Sequence, residues 1–541
     1  MSLDEQQIGD LVARVVGRLR EKGVVASDSN TPTKPSKRFR PVPGRDRDHP
    51  ILRKYSPALP ALTDPKHPAA NSQQPIANSR RSVISQHPPF NIHSQSSAAG
   101  VYDDVDSACQ AATRAREELS RLGFQARFKL IDAFRKIALE NIERWARDAV
   151  AETSMGRVED KILKNRLVAL RTPGPEMLQN PETFVGDNGA TFIRLEPFGV
   201  IAAVTPCTNS TETVINNGIS MLSAGNSVVF NPHPIARRVS ADAVRTINQA
   251  LAAAGGPQEL LCCISEPSIE TANALMRHAL TNLVLVTGGG AVVDAAMKCG
   301  KRAICAGPGN PPAVVDESAD LERAARTLVA GASLDNNVVC TDEKAILAVD
   351  SVATALKALM LKHGCVEVSG DDIEKLTRLV LHDRGAPGRA GAPNKKYVGK
   401  NASVILREIG IDADERVRLV LVDVDKDHPL VWTEQLMPVL PICRLPDADA
   451  AIAHAAATEA GRRHTASIHS QRLDRITRFC NTMSCSICVV NDANYAGLGQ
   501  DGEGYTSFSI ATPTGEGMTT ARTFCRERRL AVCGGALKIG C

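Results

Sequence analysis

From residue 101 onward, short apolar runs of strand length alternate with stretches of helix length, and this alternation most constrains the fold. The runs FGVIAAV (198–204), NSVVF (226–230) and NLVLV (282–286) are too short for buried helices and are bounded by turn-forming residues. Helical stretches fall at 105–122, 127–152, 242–254 and 290–298. Parallel strands need long crossovers, which helices supply. The pattern therefore predicts an α/β fold with a parallel, doubly wound sheet. No internal repeat interrupts it.

The first hundred residues read differently. Ile8, Leu11, Val12, Val15, Val16 and Leu19 repeat at i, i+3, i+4, i+7, i+8 and i+11, which puts them on one face of a helix over 2–23. Ser2 and Glu5 are spaced as a capping box, and Gly23 is a stop. From 24 to 100 the chain holds twelve of its 31 prolines with little apolar periodicity, the composition of a disordered tether. An amphipathic helix on a tether suits docking into a groove. The other readings are a membrane-surface helix, which a polar face poor in lysine disfavours, or packing on the protein's own body.

Bulk properties exclude several classes. A net charge of +4 on 541 residues is too mild for nucleic acid to be the main partner. No run approaches the roughly 20 apolar residues of a membrane helix. Asp4 and Glu5 precede the first apolar positions, so no secretory pattern opens the chain. Fifteen cysteines, an odd number without a framework, read as reduced thiols in a cytosolic chain. Cys485 and Cys488 have ligand spacing but lack a second pair, so no metal is expected.

Four motifs carry chemistry. In DNNVVCTDEK (335–344), Cys340 sits in a polar loop before an apolar run; it is either a packed small hydrophobe or a nucleophile. In AVTPCTNST (203–211), Asn209 follows a strand and either caps a helix or donates to an oxyanion. In LVLVTGGGAVVDAAM (283–297), a strand runs through Thr287, Gly288, Gly289 and Gly290 into a helix; this is a phosphate contact or a tight turn. GLGQDGEG (497–504) matches a dinucleotide fingerprint, but no helix pattern follows, so it reads as a glycine-rich loop.

Taken together, Asn209 after Thr-Pro-Cys-Thr, VVFNPHP (228–234), VTGGG (286–290), AGPGNPPAVV (306–315), Cys340 and TEQLMPVLPI (433–442) occur in the order found in aldehyde dehydrogenases. From Val101 to Leu530 the chain resembles that family. In NNVVCTDEKAILAVDSV and SFSIATPTGEGMTTARTF it is most similar to the CoA-acylating branch, and within it to the propionaldehyde and acetaldehyde dehydrogenases of bacterial microcompartments.

The resemblance implies an aldehyde dehydrogenase fold. A Rossmann-like cofactor domain would span 101–334, an α/β catalytic domain 335–505 and a C-terminal segment 506–541, behind a targeting helix (1–23) and a linker (24–100). It implies Cys340 as nucleophile, Asn209 as oxyanion donor, and Pro232, His233, Thr287, Gly288, Gly289, Gly290 and Glu434 around the cofactor. NAD is implied; Asn231 replaces the lysine many relatives carry near the adenosine ribose, which leaves NADP open. Ala306 stands where hydrolytic members place a water-activating glutamate, so coenzyme A, not water, is expected to release the acyl group. The alternative is a hydrolytic enzyme releasing the free acid. Propionaldehyde is the expected substrate, with lactaldehyde and acetaldehyde as alternatives. The resemblance further implies that the helix meets a microcompartment shell protein, that the enzyme sits in the lumen of a microcompartment in the bacterial cytoplasm, and that it forms homo-oligomers through an arm near 181–197.

Overall fold

A computed structural model describes residues 99–534. The expected helix over 2–23, with its stripe from Ile8 to Leu19, and the tether up to residue 98 lie outside the described residues.

In chain order the first strands are β1 (Val101–Tyr102), a hairpin of β2 (Glu182–Gly186) and β3 (Gly189–Pro197), then β4 (Val200–Thr205), β5 (Ser227–Pro232), β6 (Leu261–Ile264), β7 (Thr281–Thr287) and β8 (Ala303–Ala306). Six of them form a parallel sheet in the order β1-β6-β5-β4-β7-β8. Its helices are α1 (Val105–Leu122), α2 (Phe124–Thr153), α3 (Val158–Arg171), α4 (Ser210–Ala224), α5 (Arg237–Ala253), α6 (Ile269–Arg277) and α7 (Gly290–Met297). Gly123, at φ 80, separates α1 from α2, a backbone angle that only glycine adopts without strain.

The sheet is covered on both faces. Ile201 and Ala203 of β4 join a core with Phe134 of α2, Ile215 of α4 and Ile247 of α5. Val200, Ala202 and Val204 point the other way, against Cys109 of α1, Leu275 of α6 and Val293 of α7. A strand buried on both sides has no polar face to show, so β4 reads in the sequence as a continuous apolar run.

A second parallel sheet follows. It uses β9 (Pro312–Val315), β10 (Ala345–Val349) and β11 (Cys365–Val368), then, after a small hairpin of β12 (Leu381–Asp383) and β13 (Ala392–Pro393), β14 (Leu419–Asp423), β15 (Val439–Leu445), β16 (Thr465–His469) and β17 (Ile487–Val490). The order is β11-β14-β15-β10-β9-β16-β17. This corrects the boundary expected at 334/335. β9 pairs with β10 and β16, and α8 (Leu321–Ser333) buries Ala324 and Leu328 in the core of this second sheet, so the second unit begins at Pro312. The Gly-Pro-Gly-Asn-Pro run at 307–311 is a strong turn signal and marks this boundary better than the loop at 335.

The last stretch does not stand apart. Phe508 and Ile510, beside β18 (Ile510–Ala511) and β19 (Gly517–Met518), pack into the first core with Phe524. β20 (Cys525–Val532) then pairs antiparallel with β3 along its length. β2, β3 and β20 make a three-stranded sheet with Phe184, Val185 and Leu530 exposed. Among the described residues no helix is long and apolar enough to cross a membrane.

Phe134 is fully buried at the centre of the first core. Phe134→Ala is expected to remove about 3–5 kcal/mol of stability and to lower the thermal unfolding midpoint by several degrees. A midpoint equal to that of the parent chain would show that this face is not the core.

Candidate active site

In the first sheet the chain lays down β4, moves outward through β5 and β6, and returns to place β7 on the other side of β4. Open α/β sheets bind ligands at the carboxyl ends of strands where the order reverses in this way. A cavity of about 550 Å³ opens there, at the ends of β4 and β7. Asn209, Pro232, His233, Thr287, Gly288, Gly289, Cys340 and Glu434 line it, as does Ala306. Gly290 does not; it is the first residue of α7. The cavity also takes in Phe508 and Ile510 from the end of the chain and Ile269 from α6.

Cys340 sits on the turn between α8 and β10. Its lead-in is unusual: Asp335, Asn336 and Asn337 have φ of 47, 56 and 64, three successive left-handed residues without a glycine. Asparagine and aspartate tolerate this region because a short polar side chain can bond locally. Asn336 Nδ2 donates to Gly399 O (2.9 Å) and Asn401 Oδ1 (2.8 Å). Asn337 Nδ2 donates to Ala332 O (2.8 Å) and Glu343 O (3.0 Å). The triplet Asp-Asn-Asn is the sequence signal for this turn.

The sulfur lies in a field of opposing charges. Burial pushes the Cys340 thiol up to about 12, the Glu434 carboxylate adds to that, and the Lys344 ammonium pulls it down. Lys344 is fully buried and donates to Asn337 O (2.9 Å), Asn337 Oδ1 (2.6 Å) and Val339 O (3.0 Å). Three neutral carbonyl oxygens hold it in place without cancelling its charge. The neighbouring Asp342 carboxyl is driven well above its usual range by burial, although Lys344 opposes this. The Cys340 backbone N–H also favours the thiolate, as the smallest of these contributions.

Gly309 packs against the Cys340 backbone. A methyl group there would meet Cys340 O at 2.7 Å and the His464 ring at 3.2 Å, so the backbone passes too close for any other residue. Burial raises the Glu434 carboxyl, and Lys344, Arg462 and the Gly309 N–H oppose this. His464 is fully buried and neutral: burial, with Lys344 and Arg462, takes its pKa down to about 4.

Asn209 is the N-cap residue of α4, but its side chain makes no capping bond. Its Oδ1 instead accepts from Lys164 Nζ at 2.6 Å. The capping alternative is thereby removed. The sequence reading missed Lys164, Lys161, Gly309 and His464. Lys161 and Lys164 sit three apart on α3, a spacing that normally marks a solvated face. A lone buried histidine carries no motif at all.

Other expectations fall as follows. After 497–504 no helix begins; Gly499 takes φ 83 and the chain runs on to β18. Cys485 and Cys488 are half-buried free cysteines, and the Cys485 thiol donates to Met483 O at 3.7 Å. Asn231, fully inside the sheet end, accepts from Thr271 Oγ1 at 2.7 Å.

Residues 78–506 match the aldehyde dehydrogenase family. The chain belongs to that family. It is 47% identical to an acetaldehyde dehydrogenase (acetylating) of Bilophila wadsworthia, over 80% of this chain and 90% of that protein. Among solved structures it is similar to a propionaldehyde dehydrogenase of Rhodopseudomonas palustris, seen with bound CoA and an acylated cysteine (TM-score 0.78, 43% identity, 82% of this chain and all of that one). It is also similar to a propionaldehyde dehydrogenase from the fucose utilisation microcompartment of Clostridium phytofermentans (TM-score 0.79, 42% identity, again 82% of this chain and all of that one).

In this aldehyde dehydrogenase, Ala306 ends β8 and is buried on the cavity wall, and Glu434 is the carboxylate among the lining residues. The field at Cys340 has a sign that can be checked by alkylation with iodoacetamide at pH 8. A thiol whose pKa lies far above the pH gains tenfold in thiolate for each unit its pKa falls. Glu434→Gln removes a negative charge and is expected to speed labelling of Cys340, and Lys344→Met to slow it, each by roughly 3- to 10-fold. Peptide mass mapping reads the site, and the reverse order of rates would contradict this field.

Proposed function

We propose that this aldehyde dehydrogenase oxidises a short-chain aldehyde to its acyl-CoA ester, with Cys340 carrying the acyl group between two half-reactions. The carrying observation is the composition of one cavity wall: a cysteine, an asparagine amide whose oxygen is held by Lys164 and not by a helix cap, and an alanine where water would need a base.

The cavity suits a dinucleotide. The first turn of α7, after Thr287, Gly288 and Gly289, offers backbone N–H groups to a pyrophosphate. Pro232 and His233 end β5 beside it, and Ile269 and Val292 give an apolar flank for a base. The Glu434 carboxylate can accept from ribose hydroxyls near the sulfur. A nicotinamide bound there supplies the hydride acceptor. Asn231 is engaged with Thr271 and brings no cation to the adenosine ribose, which favours NAD over NADP.

The chain's own residues do the rest. Cys340 Sγ bonds to the aldehyde carbon and the carbonyl oxygen becomes an oxyanion. Asn209 Nδ2 and the Cys340 N–H donate to it; one such donor is worth about 3 kcal/mol in the transition state. Loss of hydride leaves a thioester on Cys340. Release then needs a nucleophile. Ala306 has no base for water, and Glu434 is committed to the ribose. The thiol of coenzyme A ionises far more readily than water. It attacks the same carbon, the same donors hold the second oxyanion, and the Cys340–carbon bond breaks. The relatives act on acetaldehyde and propionaldehyde, so the substrate is an aldehyde of two or three carbons.

Purified enzyme with NAD and propionaldehyde or acetaldehyde is expected to form NADH continuously only when CoA is added, with acyl-CoA as product, and Cys340→Ala to abolish turnover. Steady turnover without CoA, releasing the free acid, would establish the hydrolytic reading instead.

The apolar stripe at 2–23, together with a neighbour from a microcompartment, supports packaging inside a shell in the bacterial cytoplasm. Leu11→Asp or Val15→Asp is expected to leave turnover intact and to remove the enzyme from purified shells. Normal packaging of either variant would refute the role of the helix.

A further inference from the structure

Lys164 of α3 is 2% exposed. Its ammonium donates to Asn209 Oδ1 at 2.6 Å and Asp335 Oδ2 at 2.5 Å, and meets Glu212 Oε1 at 3.2 Å. Burial opposes its charge, but Asp335 and Glu212 outweigh burial and hold the ammonium above its ordinary pKa. It is a cation throughout the working range of an enzyme.

An ammonium has three donors and no acceptor, so it can face only the oxygen of a neighbouring amide. The two ends of an asparagine amide are nearly alike in size, so packing does not choose between them. Charge does. With Oδ1 held by Lys164, Nδ2 must turn the other way. Its recorded neighbour is Thr208 Oγ1 at 3.4 Å, a long contact that leaves its hydrogens available on a residue lining the cavity with Cys340. A flipped amide would aim its carbonyl at a developing oxyanion and repel it.

We propose that Lys164 is a positioning residue that sets the Asn209 amide so that N–H, not C=O, meets the reacting oxygen. The same ammonium holds Asp335, at the start of the left-handed turn leading to Cys340. One buried charge thus ties the side-chain donor of the oxyanion site to the turn carrying its backbone donor. Lys161 Nζ also reaches Asp335 (2.8 Å) and Thr208 O (3.1 Å), but its bonds do not include the Asn209 amide.

The inference rests on the reading of Asn209 as oxyanion donor, and the experiment separates the two. Aldehyde oxidation builds an oxyanion; alkylation by iodoacetamide displaces iodide at the same sulfur and builds none. Lys164→Met is expected to cut kcat for NADH formation about 100-fold, near the effect of losing one oxyanion donor, while Cys340 alkylation changes about twofold or less. Because Lys164 acts through Asn209, adding Lys164→Met to Asn209→Ala is expected to cost less than about threefold more. Lys161→Met, which strips Asp335 of a cation without freeing the amide, is expected to keep the ratio of oxidation to alkylation near that of the parent. If Lys164→Met does not accumulate folded, Lys164→Met/Glu212→Gln keeps the buried charges balanced and carries the same expectation. Equal losses in oxidation and alkylation, or losses that multiply in the Asn209→Ala background, would overturn the role of Lys164 alone. Full oxidation by Asn209→Ala would overturn the Asn209 reading and this inference with it.

Discussion

Asp335 is the residue on which the site depends. Its carboxylate is fully buried, accepts from Lys161 at 2.8 Å, Lys164 at 2.5 Å and the Arg157 N–H at 2.8 Å, and its own N–H donates to Asp160 Oδ2 at 2.8 Å. Burial alone would raise its pKa; the two ammonium groups hold it below the ordinary value. Breaking a buried pair of this kind leaves an uncompensated charge and costs about 3–5 kcal/mol. The cluster therefore locks three parts of the chain at once: α3, the exit of β4 at Thr208–Asn209, and the nucleophile turn. Gly156 shows how close the approach is. It takes φ +77, and a methyl group there would lie 1.9 Å from Asp335 Oδ1.

The surroundings of Cys340 are arranged to hold the thiol back before substrate and cofactor arrive. Desolvation and Glu434 disfavour the thiolate, and Lys344 alone among the nearby cations favours it. Lys344 stays in place because its partners are backbone and amide oxygens of the nucleophile turn itself. A neutral His464 adds no competing charge, and Asp342 acts in the same direction as Glu434. A cysteine that is protonated at rest is also protected from the oxidation that low-pKa thiols suffer.

The two sheets are not independent. Ile487 and Val489 of β17, then Phe508 and Ile510, pack into the core of the first sheet, and β20 continues to β3. Cys340 comes from the second sheet, Asn209 and the glycine turn from the first, and Phe508 and Ile510 from the returning end. No single segment holds the site, which exists only where these parts meet.

The sequence by itself determined the α/β class, because strands buried on both faces must be continuously apolar and parallel strands must be joined by helices. Its motifs also marked Cys340, Asn209, Glu434 and the Thr287–Gly289 turn as candidates, and these line one cavity. Only the tertiary structure decided where the second sheet begins, since β9 is assigned by the strands it pairs with and not by its own residues. Only it showed that Lys161, Lys164 and Lys344 are buried, since in the sequence they resemble the charges of any solvated surface. Gly309 and His464 were illegible for the same reason. Their roles come from distances between residues far apart in the chain, and a local pattern records which groups are present but not which of them are pressed together.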